Sequence, residues 1–132
     1  MSKIYLGLII LLFCFSCKKD KALVPEPAVV PCNLPDVVSY QNNIQPLFNA
    51  HCIDSGCHSG ANPGGHLNLE ASVSYAQLMK SGSGYIDTLK PEFSVLYSQM
   101  NSSSNPMPKT GKLDDCSIGL VLKWIQQKAK NN

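Results

Sequence analysis

The first sixteen residues hold the longest apolar run of the chain. The segment from Ile4 to Phe15 carries no charge and follows Lys3. It has about the length of the apolar core of a secretory signal and is too short to span a bilayer as a helix. A helix that is apolar on every face has no place at the extreme terminus of so small a protein. We therefore expect residues 1–16 to be an export signal.

Helical spacing of apolar residues predicts three short helices in the middle of the chain. Pro46 and Pro91 are compatible with the first turns of the first and third helices, and Ser72 is a candidate N-cap for the second. The apolar positions are Ile44, Leu47 and Phe48 in the first, Tyr75, Leu78 and Met79 in the second, and Phe93, Leu96, Tyr97 and Met100 in the third. We interpret Met79 and Met100 as packing residues.

The clearest helical pattern lies near the end of the sequence, in "DDCSIGLVLKWIQQKAK". Asp114 or Asp115 is expected to cap this helix, and the lysines at its end suit the helix dipole. Its expected apolar face consists of Ile118, Val121, Leu122 and Ile125. No segment has a strand pattern long enough to predict a sheet. The sequence therefore predicts an all-α fold with few short helices and long loops.

Amino-acid composition adds information on partners and on the segment ahead of the domain. The 132 residues carry a net charge of +2 from eleven lysines and no arginine. A nearly neutral surface without arginine argues against nucleic acid as a partner. Residues 18–31, "KKDKALVPEPAVVP", contain three prolines and no apolar period. We expect them to form a semi-rigid tether ahead of a domain at 32–132.

Six cysteines are the most informative feature of the composition. The stretch "NAHCIDSGCHSG" places four residues between Cys52 and Cys57, with His58 directly after the second cysteine. A zinc site would use these three residues with His51 or His66, although adjacent ligands are awkward and no second ligand pair exists. A disulfide between the two cysteines is the other structural alternative, and it leaves the histidine unexplained.

A covalently bound haem accounts for more of this motif. Such a site needs two thiols that add to the haem vinyl groups and an imidazole directly after the second thiol, where it becomes the proximal iron ligand. The usual spacing leaves two residues between the cysteines. Here four residues intervene, and Asp54, Ser55 and Gly56 suit an outward bulge. We therefore predict haem c on Cys52 and Cys57.

A distal iron ligand is the remaining requirement of a six-coordinate haem. Met107 lies in "NPMPK", between two prolines that stiffen an otherwise polar loop. A thioether held in this way suits histidine–methionine ligation, so His58 and Met107 are the predicted axial ligands. His66 is the best rival for the distal position. His51 is expected to end the first predicted helix, where a cation suits the dipole.

Two known classes of sequence resemble parts of this chain. Ser16, Cys17 and the charged "KKDK" resemble the end of a bacterial lipoprotein signal, although Cys14 and Phe15 depart from its usual pattern. The resemblance implies cleavage after Ser16, lipidation of Cys17, a membrane anchor, and a location in the periplasm or at the cell surface. Several acyl chains would bind a membrane more firmly than one.

The domain itself resembles exported bacterial monohaem c-type cytochromes of the Cys-x4-Cys-His variant. The resemblance rests on "NNIQPLFNAHCIDSGCH", on "LNL" and on "NPMPKTGKLDDCSIGLVLKWIQQKAKNN", and it covers about residues 36–132. It implies a class I-like cytochrome c fold, thioethers at Cys52 and Cys57, and axial ligands at His58 and Met107. The wide cysteine spacing and Lys109, where a second proline is commoner, are departures from the family pattern.

The same resemblance suggests a partner for each of the two remaining cysteines. In the fold that it implies, the first and last helices cross, which could bring Cys32 and Cys116 within bridging distance. Free thiols are uncommon in an oxidising compartment. We therefore expect a Cys32–Cys116 disulfide that closes a loop of about 85 residues. The alternatives are a buried thiol pair and disulfide exchange with the haem cysteines during maturation.

Function follows from the expected site. An iron with two protein ligands has no open position for a small-molecule substrate, so we expect an electron carrier that exchanges electrons with redox partner proteins and is not itself an enzyme. A haem enzyme or gas sensor with an open distal site is one alternative. A haem-free, disulfide-stabilised lipoprotein that acts as a binding module is another.

Overall fold

All regular structure is helical in residues 31–54 and 56–132, the part of the chain that this computed structural model describes. The α-helices are α1 (Gln45–His51), α2 (Ser74–Leu78), α3 (Val95–Asn101) and α4 (Asp115–Gln126). A π-helical turn at Tyr40–Ile44 leads into α1, and 3-10 turns occupy Gly64–His66 and Pro91–Phe93. The expectation of an all-α fold with few short helices is confirmed. The expected signal at 1–16, lipidation at Cys17 and the tether up to Val30 lie outside the described residues.

None of the helices in the described ranges is long and apolar enough to cross a membrane. The described residues from Pro31 to Asn132 belong to one unit. Its core consists of Val38, Tyr40, Ile44, Phe48, Leu67, Leu69, Leu78, Leu96, Met100, Ile118, Val121, Trp124, Ile125 and Ala129. These residues come from every α-helix, so the short helices are stabilised by a shared core rather than by their own length.

The predicted apolar face of the first helix is confirmed. Ile44 and Phe48 are fully buried, and Leu47 packs against the core from a half-buried position. Pro46 is the second residue of α1, in its first turn as predicted. Ser39 caps the preceding π-helical turn by accepting a hydrogen bond from the Asn42 N–H.

Helix α4 begins where the sequence indicated. Asp114 is the N-cap, and its carboxylate accepts hydrogen bonds from the N–H and the hydroxyl of Ser117 at 2.9 and 2.6 Å. Ile118, Val121 and Ile125 are buried as predicted, whereas Leu122 is only half-buried. Trp124, which the apolar pattern left out, is fully buried and donates its indole N–H to the Lys130 carbonyl.

The second helix starts later than predicted. Its first residue is Ser74, because the N–H groups of Val73 and Ser74 both donate to the Glu70 carbonyl and close a turn before the helix. Ser72 is therefore not the N-cap. The helix also ends at Leu78, so Met79 falls beyond it and is 38% exposed. The prediction that Met79 is a packing residue was wrong.

The third predicted helix is interrupted near its start. Ser94 adopts an extended conformation with ψ 130°, and its hydroxyl accepts a hydrogen bond from the Asp87 N–H. Phe93 therefore belongs to the preceding 3-10 turn and is 70% exposed, contrary to the prediction. Leu96 and Met100 lie in α3 and are buried as predicted.

The disulfide expected between Cys32 and Cys116 is present. The two Cα atoms lie 5.3 Å apart, and the bridge spans 84 residues of sequence. It joins the segment ahead of the first helical turn to the first turn of α4. The Tyr40 ring packs against Trp124 with the ring centroids 5.2 Å apart, so the segment ahead of α1 also contacts α4 in the core.

Hydrogen bonds at the end of the chain strengthen this contact. The Gln41 N–H donates to the Asn132 carbonyl, and the Tyr40 N–H donates to the Asn132 side chain. The Gln127 side chain accepts from the Val38 N–H and donates to the Asp36 carbonyl. The C-terminal residues therefore supply partners for backbone groups that precede α1.

Candidate functional site

A cavity of about 420 Å³ opens between the two loop regions that carry the predicted ligands. Its size falls within the range of about 300–1,000 Å³ that small-molecule and cofactor sites occupy. The lining residues are His51, Cys52, Gly56, Cys57, His58, Gly64, Gly65, Leu67, Leu69, Tyr85, Val95, Leu96, Gln99, Met100, Met107, Pro108, Lys109 and Leu113. The cavity therefore brings together Cys52, Cys57, His58 and Met107, which the sequence analysis selected as one site.

The end of α1 positions the first cysteine. The Cys52 N–H donates to the Phe48 carbonyl at 2.8 Å and so closes the last turn of the helix. Its side chain is half-buried against the core and lines the cavity. Burial raises the pKa of the Cys52 thiol to about 11, with smaller contributions from the negative charges of Cys57 and Asp54. The thiol is therefore protonated at neutral pH.

Two backbone hydrogen bonds connect the chain on either side of the cysteine pair. The Cys57 N–H donates to the Asp54 carbonyl at 2.8 Å, and the His58 N–H donates to the Cys52 carbonyl at 3.0 Å. Gly56 has φ +83°, a conformation that glycine adopts without strain. Both cysteines line the same cavity although four residues separate them.

Both thiols are free in the structure. The structure therefore does not contain the alternative, a disulfide between Cys52 and Cys57. Within the described ranges, no three His, Cys, Asp or Glu side chains are arranged so that they could hold a metal ion. The described residues therefore contain no ligand cluster for the alternative of a zinc site at His58.

His58 is held in a defined orientation. Its Nδ1 lies 3.0 Å from the Leu67 carbonyl oxygen. Because a carbonyl can only accept, Nδ1 carries the proton, and a neutral ring then has its free lone pair on Nε2. A ring nitrogen fixed by a backbone carbonyl is the arrangement that orients histidine for binding a metal through the other nitrogen.

The backbone around His58 is anchored on both sides. The Leu69 N–H donates to the His58 carbonyl at 2.8 Å, and the Gly64 N–H donates to the Cys57 carbonyl at 2.7 Å. A Cβ atom at Gly64 would approach that Cys57 oxygen to 3.3 Å. The close contact between the backbone at Gly64 and the backbone at Cys57 therefore favours glycine. These contacts position the histidine from the loop that follows it.

A buried chain of hydrogen bonds connects this loop to the helices. The Tyr40 hydroxyl donates to Ser74 Oγ at 2.6 Å, and the Ser74 hydroxyl donates to Gln45 Oε1 at 2.6 Å. Gln45 Nε2 then donates to the Leu69 carbonyl at 3.0 Å and to Asn49 Oδ1 at 2.8 Å. Sequence reasoning missed this chain because its members are far apart in sequence and belong to no motif.

A second set of side chains holds the outer part of the same loop. Asn68 Nδ2 and the Gly60 N–H both donate to the Glu70 carboxylate, at 2.7 and 3.3 Å. The Asn68 N–H donates to the Gln77 side chain from α2. No motif in the sequence marked these residues. They tie the segment after His58 to α2.

Met107 lines the cavity from the loop between α3 and α4. Its N–H donates to the Gln99 carbonyl at 3.0 Å, which fixes the loop to the last turn of α3. Pro106 and Pro108 flank it, and the Lys109 side chain donates to the Asn105 side chain within the same loop. Met107 is half-buried. These contacts restrain its loop, as the flanking prolines suggested.

The other candidates divide between the cavity and the surface. His66 is exposed and is not among the residues that line the cavity. His51 ends α1 as predicted and also lines the cavity. Met100 is 3% exposed, so it packs in the core as expected, and it too lines the cavity. Tyr85 is a cavity residue that the sequence analysis missed.

No protein-family model, curated protein or solved structure matches this chain.

Proposed function

We propose that this protein is a single-haem electron carrier of the c type. The observation that supports this proposal is that Cys52, Cys57, His58 and Met107 all line one cavity. These four side chains are two thiols, an imidazole and a thioether, which is the set of groups that a covalently bound haem with histidine–methionine ligation requires.

The chemistry of the cavity fits this group. Leu67, Leu69 and Leu96 are buried and give the cavity an apolar lining, as a largely apolar macrocycle requires. Both cysteines are free thiols. Each S–H can therefore add across a vinyl C=C bond, so that sulfur bonds to one carbon and hydrogen to the other, without any added oxidant or reductant.

His58 and Met107 have complementary roles in this proposal. The Nδ1–H bond to the Leu67 carbonyl leaves Nε2 of His58 available as the proximal ligand and strengthens it as a donor. Met107 supplies the distal thioether, which raises a haem reduction potential. When bound, haem supplies an iron that changes oxidation state by one electron. With haem bound, the apolar residues Leu67, Leu69 and Leu96 would limit the access of water and would favour the less charged reduced state.

Electron transfer is favoured over catalysis because His58 and Met107 line the same cavity and would both bind the iron of a haem held there. A haem held by both residues would have no coordination position left for a substrate or a gas. The proposed fold is cytochrome c-like, which is consistent with the contact between Tyr40, ahead of α1, and Trp124 in α4. Fold likeness alone would not indicate function, so the proposal rests on the cavity and its ligands.

The proposed setting is outside the cytoplasm. An export signal at 1–16, lipid on Cys17 and a tether up to Pro31 would hold the domain at a membrane surface. The Cys32–Cys116 disulfide is consistent with an oxidising compartment. Redox proteins are the proposed partners, since a carrier of this kind takes an electron from one protein and delivers it to another.

Replacing Met107 with alanine tests this assignment. The full chain is matured in a host that attaches c-type haem, and Met107→Ala is compared with wild type. Loss of the thioether should open the iron, which predicts a high-spin spectrum, binding of carbon monoxide and a lower reduction potential. Potentiometry and absorption spectroscopy measure these changes.

Met79→Ala is the matched control, because Met79 is an exposed methionine that does not line the cavity. It should keep the wild-type spectrum and potential. A Met107→Ala spectrum identical to wild type would show that another residue, such as Met100, is the distal ligand. A wild-type chain that already binds carbon monoxide would favour a haem enzyme or gas sensor.

A further inference from the structure

The peptide unit between Leu67 and Asn68 is hydrogen-bonded at both of its polar groups. Its carbonyl oxygen lies 3.0 Å from Nδ1 of His58 and accepts the ring proton. Its N–H donates to Gln77 Oε1 at 2.8 Å. The unit is planar and trans, so its C=O and N–H point in opposite directions. A continuous line of hydrogen bonds therefore runs from α2 through one backbone unit to His58.

The chemistry of this contact fixes the orientation of the Gln77 amide. A backbone N–H can only donate, so the side chain that faces the Asn68 N–H must present its oxygen and not its nitrogen. Gln77 lies near the end of α2, and its own N–H donates to the Val73 carbonyl at 3.0 Å. The side chain is half-buried. The acceptor oxygen is therefore carried by a hydrogen-bonded helix.

Contacts of the following residues limit the freedom of this peptide unit. The Leu69 N–H donates to the His58 carbonyl at 2.8 Å, and the Leu69 carbonyl accepts from Gln45 Nε2 at 3.0 Å. Leu69 is 2% exposed and Gln45 is 7% exposed. The Asn68 side chain accepts from the Glu70 N–H and donates to its carboxylate, at 2.8 and 2.7 Å. The peptide unit is therefore held in one orientation toward the histidine ring.

Hydrogen bonds that are arranged in series strengthen each other. When the Asn68 N–H donates to Gln77, the peptide unit is polarised and the Leu67 carbonyl oxygen becomes a stronger acceptor. A stronger acceptor at Nδ1 makes the other ring nitrogen of His58 a better electron donor to a metal. In a haem protein, a more basic histidine ligand stabilises the more positively charged oxidised iron. The reduction potential then falls.

We propose that Gln77 is a positioning residue for the proximal ligand. It acts through the Leu67–Asn68 peptide, sets the strength of the His58 hydrogen bond and so lowers the reduction potential of a haem held in the cavity. The inference rests on the proposed function and extends it beyond the cavity, since Gln77 is not among the lining residues. The Met107 thioether raises the potential, so the two side chains shift it in opposite directions.

A purely structural role for Gln77 makes a different prediction. If its side chain only tied the loop to α2, any substitution would loosen the loop, and all substitutions would shift the potential in the same direction. A role through the peptide predicts opposite shifts for Gln77→Met and Gln77→Glu. The thioether of methionine is a weaker acceptor than the amide oxygen, and an ionised carboxylate is a stronger one.

Potentiometry of the full matured chain tests these opposite shifts. Gln77→Met keeps the length of the side chain without its amide oxygen and should raise the reduction potential. Gln77→Glu should lower it. Each substitution should change the one-electron equilibrium constant by at least about threefold, which is about 28 mV at about 59 mV per tenfold change. Shifts of both variants in the same direction would overturn the proposal.

Ala76→Glu and Gln126→Met are the matched controls. Ala76 is the exposed residue before Gln77 in α2, so Ala76→Glu adds the same charge without replacing the acceptor of the Asn68 N–H. Gln126 is exposed in α4 and does not line the cavity. Gln126→Met should keep the wild-type potential, and Ala76→Glu should shift it less than Gln77→Glu because exposed charges are screened. Equal shifts for the two glutamate variants would show that charge alone acts, and would overturn the proposal.

The His58 hydrogen bond itself gives a readout that does not depend on electron transfer. In the reduced, diamagnetic protein, the Nδ1 proton of His58 resonates further downfield as its hydrogen bond becomes stronger. The resonance should move downfield in Gln77→Glu and upfield in Gln77→Met, and the proton should exchange with water faster in Gln77→Met. An Nδ1 resonance at the wild-type position in both variants would contradict a role through the peptide, even if their potentials differ.

Failure of this inference is distinct from failure of the proposed function. Haem-bearing Gln77 variants with wild-type potentials and Nδ1 resonances would reject the role of Gln77 and leave the carrier function intact. A wild-type chain that takes up no haem would reject the proposed function and this inference with it. If Gln77→Met does not fold, the comparison of Gln77→Glu with Ala76→Glu decides alone: a lower potential and a downfield Nδ1 shift in Gln77→Glu only support the proposal, and equal values in the two variants reject it.

Discussion

Ser74 shows how much a single buried polar residue contributes to this domain. It is fully buried, accepts a hydrogen bond from the Tyr40 hydroxyl and donates one to Gln45. Burial raises the pKa of Tyr40, so its hydroxyl remains protonated and acts as a donor over the ordinary pH range. No side-chain N or O atom that is buried in the described residues lacks a partner, so this chain of bonds is complete.

Ser74→Ala should therefore destabilise the domain. The substitution leaves a buried Tyr40 hydroxyl and the Gln45 carbonyl without their partners, which costs about 1–3 kcal/mol of unfolding free energy. Urea unfolding followed by circular dichroism measures the change. Ser72→Ala, at an exposed site two residues away, should change stability by less than about 0.5 kcal/mol. Equal effects of the two substitutions would contradict a stabilising role for the hydrogen bonds that Ser74 makes with Tyr40 and Gln45.

Sequence reasoning succeeded for single residues whose side chains have a distinctive chemistry. Cys52, Cys57, His58 and Met107 were selected because each residue type has a chemical role in one site, and the structure brings them to one cavity. Ser74 carries no such signal. Its importance arises from burial between Tyr40 and Gln45, which only the folded chain defines.

At the scale of elements, α4 is the helix that the sequence predicted best. It has a strong N-cap, a full apolar stripe and lysines near its end, and these signals agree with each other. Hydrogen bonds from Ser117 lower the pKa of the Asp114 carboxyl below its usual value. The cap is thus strongest when Asp114 is ionised.

The Asp114 cap predicts a pH dependence of stability. Because the pKa is lower in the folded state, its contribution is fully present above the usual carboxyl pKa near 3.9, and it is lost as the pH falls through the lower folded-state value. Asp114→Ala should cost about 0.5–2 kcal/mol at neutral pH and less in acid. Thermal unfolding of both proteins between neutral and acidic pH measures this difference.

Asp114→Asn serves as the control, since asparagine also caps helices. It should retain most of the stability at neutral pH and show a weaker dependence on acid. A loss for Asp114→Ala that stays constant from neutral pH down to pH 2 would contradict the assigned role of the ionised carboxylate.

The shorter helices were harder to predict for a physical reason. Helices of five to seven residues are set by tertiary contacts rather than by their own propensity. The turn closed by Glu70 displaced the start of α2, and the bond between Ser94 and Asp87 separated Phe93 from α3. Periodicity alone indicated that helices would form there, but not where they would begin.

At the scale of the whole molecule, the Cys32–Cys116 disulfide joins the two ends of the domain. A bridge over 84 residues reduces the freedom of the unfolded chain strongly, and the chain-entropy model gives an upper figure of roughly 4–5 kcal/mol. Small domains are stable by only about 5–15 kcal/mol in total. The disulfide is therefore a major part of the stability of this fold.

Replacing Cys32 and Cys116 together with serine should lower the melting temperature and leave the haem spectrum intact, because neither residue lines the cavity. Thermal unfolding with and without reductant measures the effect. With the iron kept reduced by ascorbate in every sample, a thiol reductant should lower the melting temperature of wild type toward that of the double variant and should not change the variant. A wild-type melting temperature that is insensitive to full reduction would contradict this role.

Covalent attachment of one haem to Cys52 and Cys57 is the proposal on which the others depend, and intact mass spectrometry of the denatured full chain tests it. Protein matured in a host that attaches c-type haem should carry the mass of one haem after acid treatment, on the peptide that contains both cysteines. Replacing both cysteines with alanine should give chain without that mass. A wild-type chain that loses all haem on acid extraction, or whose Cys52 and Cys57 both alkylate as free thiols, would contradict the account.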